Sequence, residues 1–170
     1  MNKTLFLIAM AITTTFSYGQ SIFDKLEDMD GVMSVVINKD AFEIISKFNF
    51  DSDKDSNEMT KVFKMIDDLN EFKTFSTDDS KIAIQMENMV KSVVNSKKLN
   101  ELMRLKEDDS KVWIYVKKTS VKDLVSEVLM FVKGIDKKTN GIAKAMIISL
   151  TGTININKMS SLVETITKNN

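Results

Sequence analysis

The fold is decided by residues 102–116, whose sequence reads LMRLKEDDSKVWIYV. Two β-rich runs, 102–106 and 112–116, flank the polar turn 107–110. The second run consists of β-branched and aromatic residues, which are typical of strands. We therefore predict a β-hairpin in this part of the chain.

Two further apolar runs follow this hairpin. Residues 124–132 fit either a helical or a strand period, whereas residues 142–150 are typical of a strand. The turn-like segment 134–141, with a glycine at each end, separates the two runs. Apolar runs on both sides of such a loop favour a second hairpin.

The first half of the chain is dominated by helical spacing. Residues 32–37 read as a first strand, and residues 72–76 alternate like an edge strand. Helices are predicted where a polar cap precedes apolar residues spaced three and four positions apart. The predicted caps are Asn38 or Asp40, Asp55, Thr77 or Asp79, and Asn155 or Asn157.

The order of these elements indicates the fold class. Helices dominate the first half and strands gather in the second, which is typical of an α+β domain rather than of a parallel doubly wound sheet. We predict a mainly antiparallel sheet of about five to six strands with helices packed on one face. Because the sequence shows no internal repeat and no linker, residues 20–170 are expected to form a single domain.

The N-terminus has the features of a secretory signal peptide. A basic start at Lys3 precedes the apolar run 4–13, and small residues follow at Ser17 and Gly19. The apolar run is shorter than the roughly 20 residues that span a membrane. We predict that residues 1–19 are removed by cleavage after Gly19, or one residue later, and that the mature chain works in the periplasm or beyond it.

The composition limits how the mature chain is held together and what it binds. The sequence has no cysteine, which excludes a lipid anchor and disulfides. Removing Lys3 reduces the 24 basic residues to 23, against 24 acidic residues, so the mature net charge is −1. This balance lacks the electrostatic footprint of a nucleic-acid binder. We expect a soluble exported protein with no transmembrane anchor and no nucleic-acid partner.

The missing residue types exclude most catalytic constellations. The chain has neither histidine nor cysteine, which removes histidine-dependent nucleophiles, thiol redox chemistry and the zinc sites built on these residues. It contains no Ser-x-x-Lys pair and no glycine-rich phosphate loop. We therefore predict no catalytic residue, no metal ligand and no cofactor.

Carboxylates are the remaining candidates for chemistry. Glycoside hydrolysis needs two carboxyls that face each other across a cleft, whereas the side chains of sequence neighbours diverge. We therefore interpret the paired acids as helix caps and solvated turns. They are Asp67-Asp68, Asp78-Asp79 and Asp108-Asp109.

The segment 51–55, DSDKD, resembles the start of a calcium loop. A full EF-hand loop requires glycine at the sixth place and glutamate at the twelfth, where this sequence has Ser56 and Val62. Lys54 also adds a positive charge inside the candidate cage. We expect a solvated loop, with weak calcium binding left open.

One methionine pair and one aromatic pair are further candidates for a site. Met86 and Met89 have Met-x-x-Met spacing, but an isolated pair is typical of core filling rather than of copper binding. Trp113 and Tyr115 share one face of a predicted strand. We expect Trp113 to pack in the core and leave Tyr115 open between core and surface.

Three blocks of the sequence are similar to a known family. They are SIFDKLEDMDGV at 21–32, ELMRLKED at 101–108 followed by VWIYVK at 112–117, and ISLTGTI at 148–154. Together they resemble domain-of-unknown-function family 4252, small exported proteins of Bacteroidota-type bacteria, over essentially the whole mature chain. The resemblance implies a strand at 124–132 but no activity. Thr153 departs from the acidic residue that relatives often have.

These observations lead to a functional expectation. We expect a non-catalytic exported envelope protein that binds a partner or ligand through a sheet face or an exposed strand edge. The alternative is a carboxylate-dependent hydrolase acting on envelope polymers, and a role in envelope stress signalling is a third hypothesis. An open edge strand would favour binding, and a cleft with two acids from distant segments would favour hydrolysis.

Overall fold

The computed structural model describes residues 22–47, 69–137 and 139–157. These residues form three helices and six strands. The helices are α1 (Ile22–Glu27), α2 (Lys39–Lys47) and α3 (Ser80–Lys97). The strands are β1 (Met33–Asn38), β2 (Leu69–Thr77), β3 (Asn100–Glu107), β4 (Ser110–Lys118), β5 (Leu124–Lys133) and β6 (Ala145–Asn155).

The six strands form one antiparallel sheet in the order β1-β2-β6-β5-β4-β3. The two predicted hairpins are β3–β4 and β5–β6. The last strand, β6, lies between β5 and β2 and so joins the late strands to the early ones. The expected α+β class with a mainly antiparallel sheet is confirmed.

The first face of the sheet, defined as the face of Phe75, carries the larger buried cluster. Phe75 and Ile147 lie opposite each other on β2 and β6, and both are fully buried. Helices α1 and α3 cover this face, and the Phe23 ring of α1 stacks 5.7 Å from the Phe75 ring. The buried residues are Phe23, Leu26, Phe75, Met86, Val90, Val93, Leu99, Leu129, Phe131, Ala145 and Ile147.

The second face, on the opposite side, carries a separate buried cluster. Phe42 of α2 packs against it, so the described helices contribute to both faces. The expectation of helices packed on one face therefore describes α1 and α3 but leaves out α2. The buried residues of this face are Leu69, Phe72, Ile114, Val116, Val125, Val128, Leu150 and Ile154.

Residues 124–132, whose sequence fits either a helical or a strand period, lie in strand β5. Val128 is buried on the second face, and its neighbour Leu129 is buried on the first. A strand that is buried on both faces reads as a continuous apolar run and loses the alternation that identifies a strand. The strand implied by the family resemblance is the one observed.

Strand β2 is an interior strand rather than the edge strand expected from its alternation. It pairs with β1 on one side and with β6 on the other. The strand begins at Leu69. The edge on this side of the sheet is therefore β1.

Two of the predicted helix caps are present as expected. The Asp79 carboxylate accepts hydrogen bonds from the backbone N–H groups of Lys81 (2.6 Å) and Ile82 (3.1 Å) at the start of α3. The Asn38 side chain accepts from the N–H of Ala41 at 3.0 Å and starts α2. Such caps satisfy N–H groups that have no partner within the helix.

Several predictions fall on residues outside the described ranges. They concern the signal peptide at 1–19, the segment 51–55, the helix begun at Asp55, the pair Asp67-Asp68 and most of the last helix. Asn155 accepts a hydrogen bond from the N–H of Asn157 at 2.9 Å, as the predicted cap of that helix would. In the part of the chain that is described, no helix has the length and apolarity needed to cross a membrane.

Candidate functional site

The sheet has two edge strands with opposite chemical character. Strand β3, NELMRLKE, carries the charged residues Glu101, Arg104, Lys106 and Glu107. Strand β1, MSVVIN, carries no charge. Charged side chains on an edge discourage another strand from pairing with it. Of the two edges of the described sheet, the β1 edge is the one without charged side chains.

Apolar side chains of β1 are exposed. Met33, Val35 and Val36 expose 66%, 46% and 44% of their surface. Met33 and Val35 lie on the second face of the sheet, as does Ile37, which pairs with Phe72. Among the described residues, no strand pairs with the outer side of β1. An uncharged apolar edge of this kind is a template for an added strand.

A glycine turn places the start of β1. Gly31 has a φ of 81°, a conformation that favours glycine. A Cβ atom there would also lie 2.8 Å from Cδ1 of Ile82 in α3. The Thr77 hydroxyl donates a 2.8 Å hydrogen bond to the Gly31 carbonyl and accepts one from the N–H of Asp79. This turn therefore ties β1 to the end of β2 and the start of α3.

An ion cluster around the buried Lys73 side chain holds α1 against the sheet beside β1. The Lys73 ammonium of β2 lies 3.3 Å from carboxylate oxygens of Glu27 and Glu71, and 3.9 Å from Asp24. Its side chain is only 10% exposed. Because Lys73 of β2 lies directly opposite Val36 of β1, the cluster is next to the candidate edge.

The carboxylates keep Lys73 charged in spite of its burial. Burial is the largest single influence on the pKa of Lys73 and would lower it. The charge of Glu71 and the hydrogen bonds to Glu27 and Glu71 together outweigh burial, so the pKa lies above its ordinary value. The cluster is thus a permanent ionic anchor between α1 and β2 at neutral pH.

A second ionic contact holds α3 over the far half of the first face. Glu87 of α3 binds the ammonium groups of Lys133 at 2.6 Å and Lys91 at 2.9 Å. The hydrogen bond from Lys133 is the main reason that the pKa of Glu87 lies below its ordinary value. Lys133 also lies 5.3 Å above the ring of Trp113. Lys133 thus contacts both Glu87 of α3 and the ring of Trp113.

The predicted aromatic and methionine residues lie mainly in the core. Trp113 stacks 5.7 Å from Phe131 and packs on the first-face cluster, as expected. Tyr115, for which the sequence favours neither core nor surface, is half-buried against the same cluster. Met86 is fully buried, and Met89 is partly buried against the first-face cluster. None of these residues lies on the candidate edge.

The described acid pairs are a cap and a turn. Asp79 caps α3 while Asp78 is exposed. Asp108 and Asp109 form the β3–β4 turn, and Asp109 pairs with Lys137 at 2.9 Å. Within residues 22–47, 69–137 and 139–157, no group of three or more histidine, cysteine or acidic side chains could hold a metal ion.

The chain belongs to the family named Domain of unknown function (DUF4252), whose model matches residues 23–162. No curated protein and no solved structure matched the chain. The family match confirms the resemblance drawn from the three sequence blocks. It assigns no activity to the candidate edge.

We predict that Lys73→Met lowers the free energy of unfolding by about 2 kcal/mol. Removing one partner from a buried ion pair costs roughly 3–5 kcal/mol, and partial exposure of the three carboxylates reduces that cost. Urea unfolding at pH 7 measures the change. The matched control is Lys91→Met, whose exposed pair with Glu87 should contribute less than about 0.5 kcal/mol.

The same pair of variants tests whether Lys73 stays charged in spite of its burial, that is, whether burial fails to lower its pKa. A lysine whose pKa is higher in the folded state stabilises the fold fully below its unfolded value of about 10.4, and this contribution is lost as the pH rises through the folded pKa. The Lys73→Met penalty should therefore be equal at pH 7 and pH 9. A penalty that fades between these values, or that matches the control, would contradict the anchor.

Proposed function

We propose that this DUF4252 protein is an exported, non-catalytic envelope protein that binds a polypeptide partner by strand addition at β1. The observation that carries the proposal is the uncharged, exposed edge of β1, which contrasts with the charged edge of β3. In strand addition, backbone hydrogen bonds supply affinity and alternate side chains supply specificity. The edge strand provides both.

The surroundings of β1 support a preformed binding edge. Its beginning is fixed by the Gly31 turn, and its end by the Asn38 cap of α2. The Lys73 cluster holds the sheet and α1 together behind it. An edge that is held rigid before binding loses little conformational freedom when a strand is added.

The hydrolase alternative has less support from the described residues. Three carboxylates from two distant segments, Asp24, Glu27 and Glu71, do converge at one place. They converge on the ammonium of Lys73, however, rather than facing each other across a cleft as glycoside hydrolysis requires. This arrangement supports an anchoring role.

Export is part of the proposal and rests on the N-terminal sequence. Lys3, the apolar run 4–13 and the small residues Ser17 and Gly19 have the arrangement of a cleavable signal. We predict that the protein purified from its native cell envelope begins at Gln20, or one residue later. Intact-mass spectrometry and N-terminal sequencing measure this, and recovery of full-length chain from the cytosol would contradict export.

The binding proposal is tested by charging each edge in turn. Val35→Lys places a charge in the middle of β1, and Leu105→Lys adds one to β3, where the native residue is similarly exposed (46% and 47%). We predict that Val35→Lys abolishes the complexes formed by chemical crosslinking in intact cells, because a charge on an edge opposes strand pairing. Leu105→Lys should leave them unchanged.

Both variants must remain folded for this comparison, which circular dichroism and urea unfolding verify. The substituted residues are exposed, so we expect each stability to stay within about 0.5 kcal/mol of the native value. Complexes that survive Val35→Lys, or that are lost equally in both variants, would contradict strand addition at β1.

A further inference from the structure

We infer that the strand added to β1 is β1 of a second copy of this chain, paired antiparallel about a two-fold axis at Val35. The inference rests on the proposed function, since it names the partner of the same edge. It would extend the antiparallel sheet from six strands to twelve across the two copies.

The side-chain pattern of β1 is compatible with pairing to itself. A two-fold axis perpendicular to the sheet keeps the first face of one copy continuous with the first face of the other. Residues directly opposite each other must then lie on the same face, which in β1 means that both are odd-numbered or both even-numbered. Pairing Val35 with Val35 of the second copy meets this condition.

This register also brings apolar side chains together. On the second face, Met33 lies opposite Ile37 of the second copy, and the two Val35 side chains meet between these pairs. On the first face, Ser34 lies opposite Val36 of the second copy. Met33 and Val35 are 66% and 46% exposed in the single chain, so the pairing buries apolar surface that now faces solvent.

The absence of charge on β1 removes like-charge repulsion as an obstacle to pairing with a copy. In a symmetric interface each residue meets the same surface from which it comes, so a charged strand risks placing like charges opposite each other. Because β1 carries no charge, it meets none in its copy. The interface is small, since one six-residue strand supplies each side, and we expect a dimer that dissociates on dilution.

Single cysteines test both the partner and the register, because the native chain has no cysteine. With Val35 on the axis, the two Cα atoms at this position lie about 4.5–5.5 Å apart, as in any directly opposed antiparallel pair. That spacing suits a disulfide. We predict that mild oxidation converts Val35→Cys to a covalent dimer.

The matched control is Val36→Cys, at a neighbouring and similarly exposed position. In this register its copies are offset by two residues, which separates their Cα atoms by about 8 Å, beyond disulfide reach. Val36→Cys alone should stay monomeric on oxidation. An equimolar mixture of Val36→Cys with Ser34→Cys should form the mixed dimer, because these positions are directly opposed.

Light scattering of the native chain over a concentration series gives a measurement without any substitution. We predict that the mass of the native chain shifts from monomer to dimer as the concentration rises. For Val35→Lys the dissociation constant should be at least about tenfold higher, which corresponds to 1.4 kcal/mol. Equal disulfide crosslinking of Val35→Cys and Val36→Cys would overturn the inference. The absence of crosslinking in both variants, together with a native mass that stays monomeric at all concentrations, would also overturn it. If crosslinked complexes in cells still depend on Val35 but contain a different protein, the partner is wrong while strand addition stands.

Discussion

The backbone N–H and C=O groups on the outer side of β1 require hydrogen-bond partners, which either water or another strand supplies. Among the described residues no strand does so. At the other edge of the sheet, the charged side chains of β3 discourage strand pairing, so the outer N–H and C=O groups of β3 stay in water. The proposed strand addition depends on this asymmetry, because β1 is the edge at which an added strand meets no charge.

The rest of the fold holds this edge in place. Buried clusters on both faces fix the strand order, and the insertion of β6 between β5 and β2 makes the sheet a single unit. Lys73 ties α1 to β2, while the Gly31 turn sets where β1 starts. The Lys73 ion cluster and the Gly31 turn thus hold β1 locally, whereas apolar packing holds the sheet as a whole.

The sequence predicted the elements better than their arrangement. Both late hairpins and two helix caps followed from local patterns, whereas β5 was ambiguous because burial on both faces removes alternation. Helix α1 was missed, since six residues are too few for a clear helical period and only the Phe23–Leu26 spacing hinted at it. The edge position of β1 follows from the pairing of β6 with β2, and the burial of Lys73 follows from the packing of α1. Both are contacts between residues far apart in the sequence, which local patterns do not predict.

Residue-resolved amide hydrogen exchange, measured at low and high protein concentration, tests the central claim most directly. The account predicts that amides on the outer side of β1 exchange rapidly in dilute solution and become protected as the concentration rises. Outer amides of β3 should exchange rapidly at both concentrations. Slow exchange of the β1 amides at both concentrations would contradict an open edge, and fast exchange at both would contradict pairing of β1 between copies.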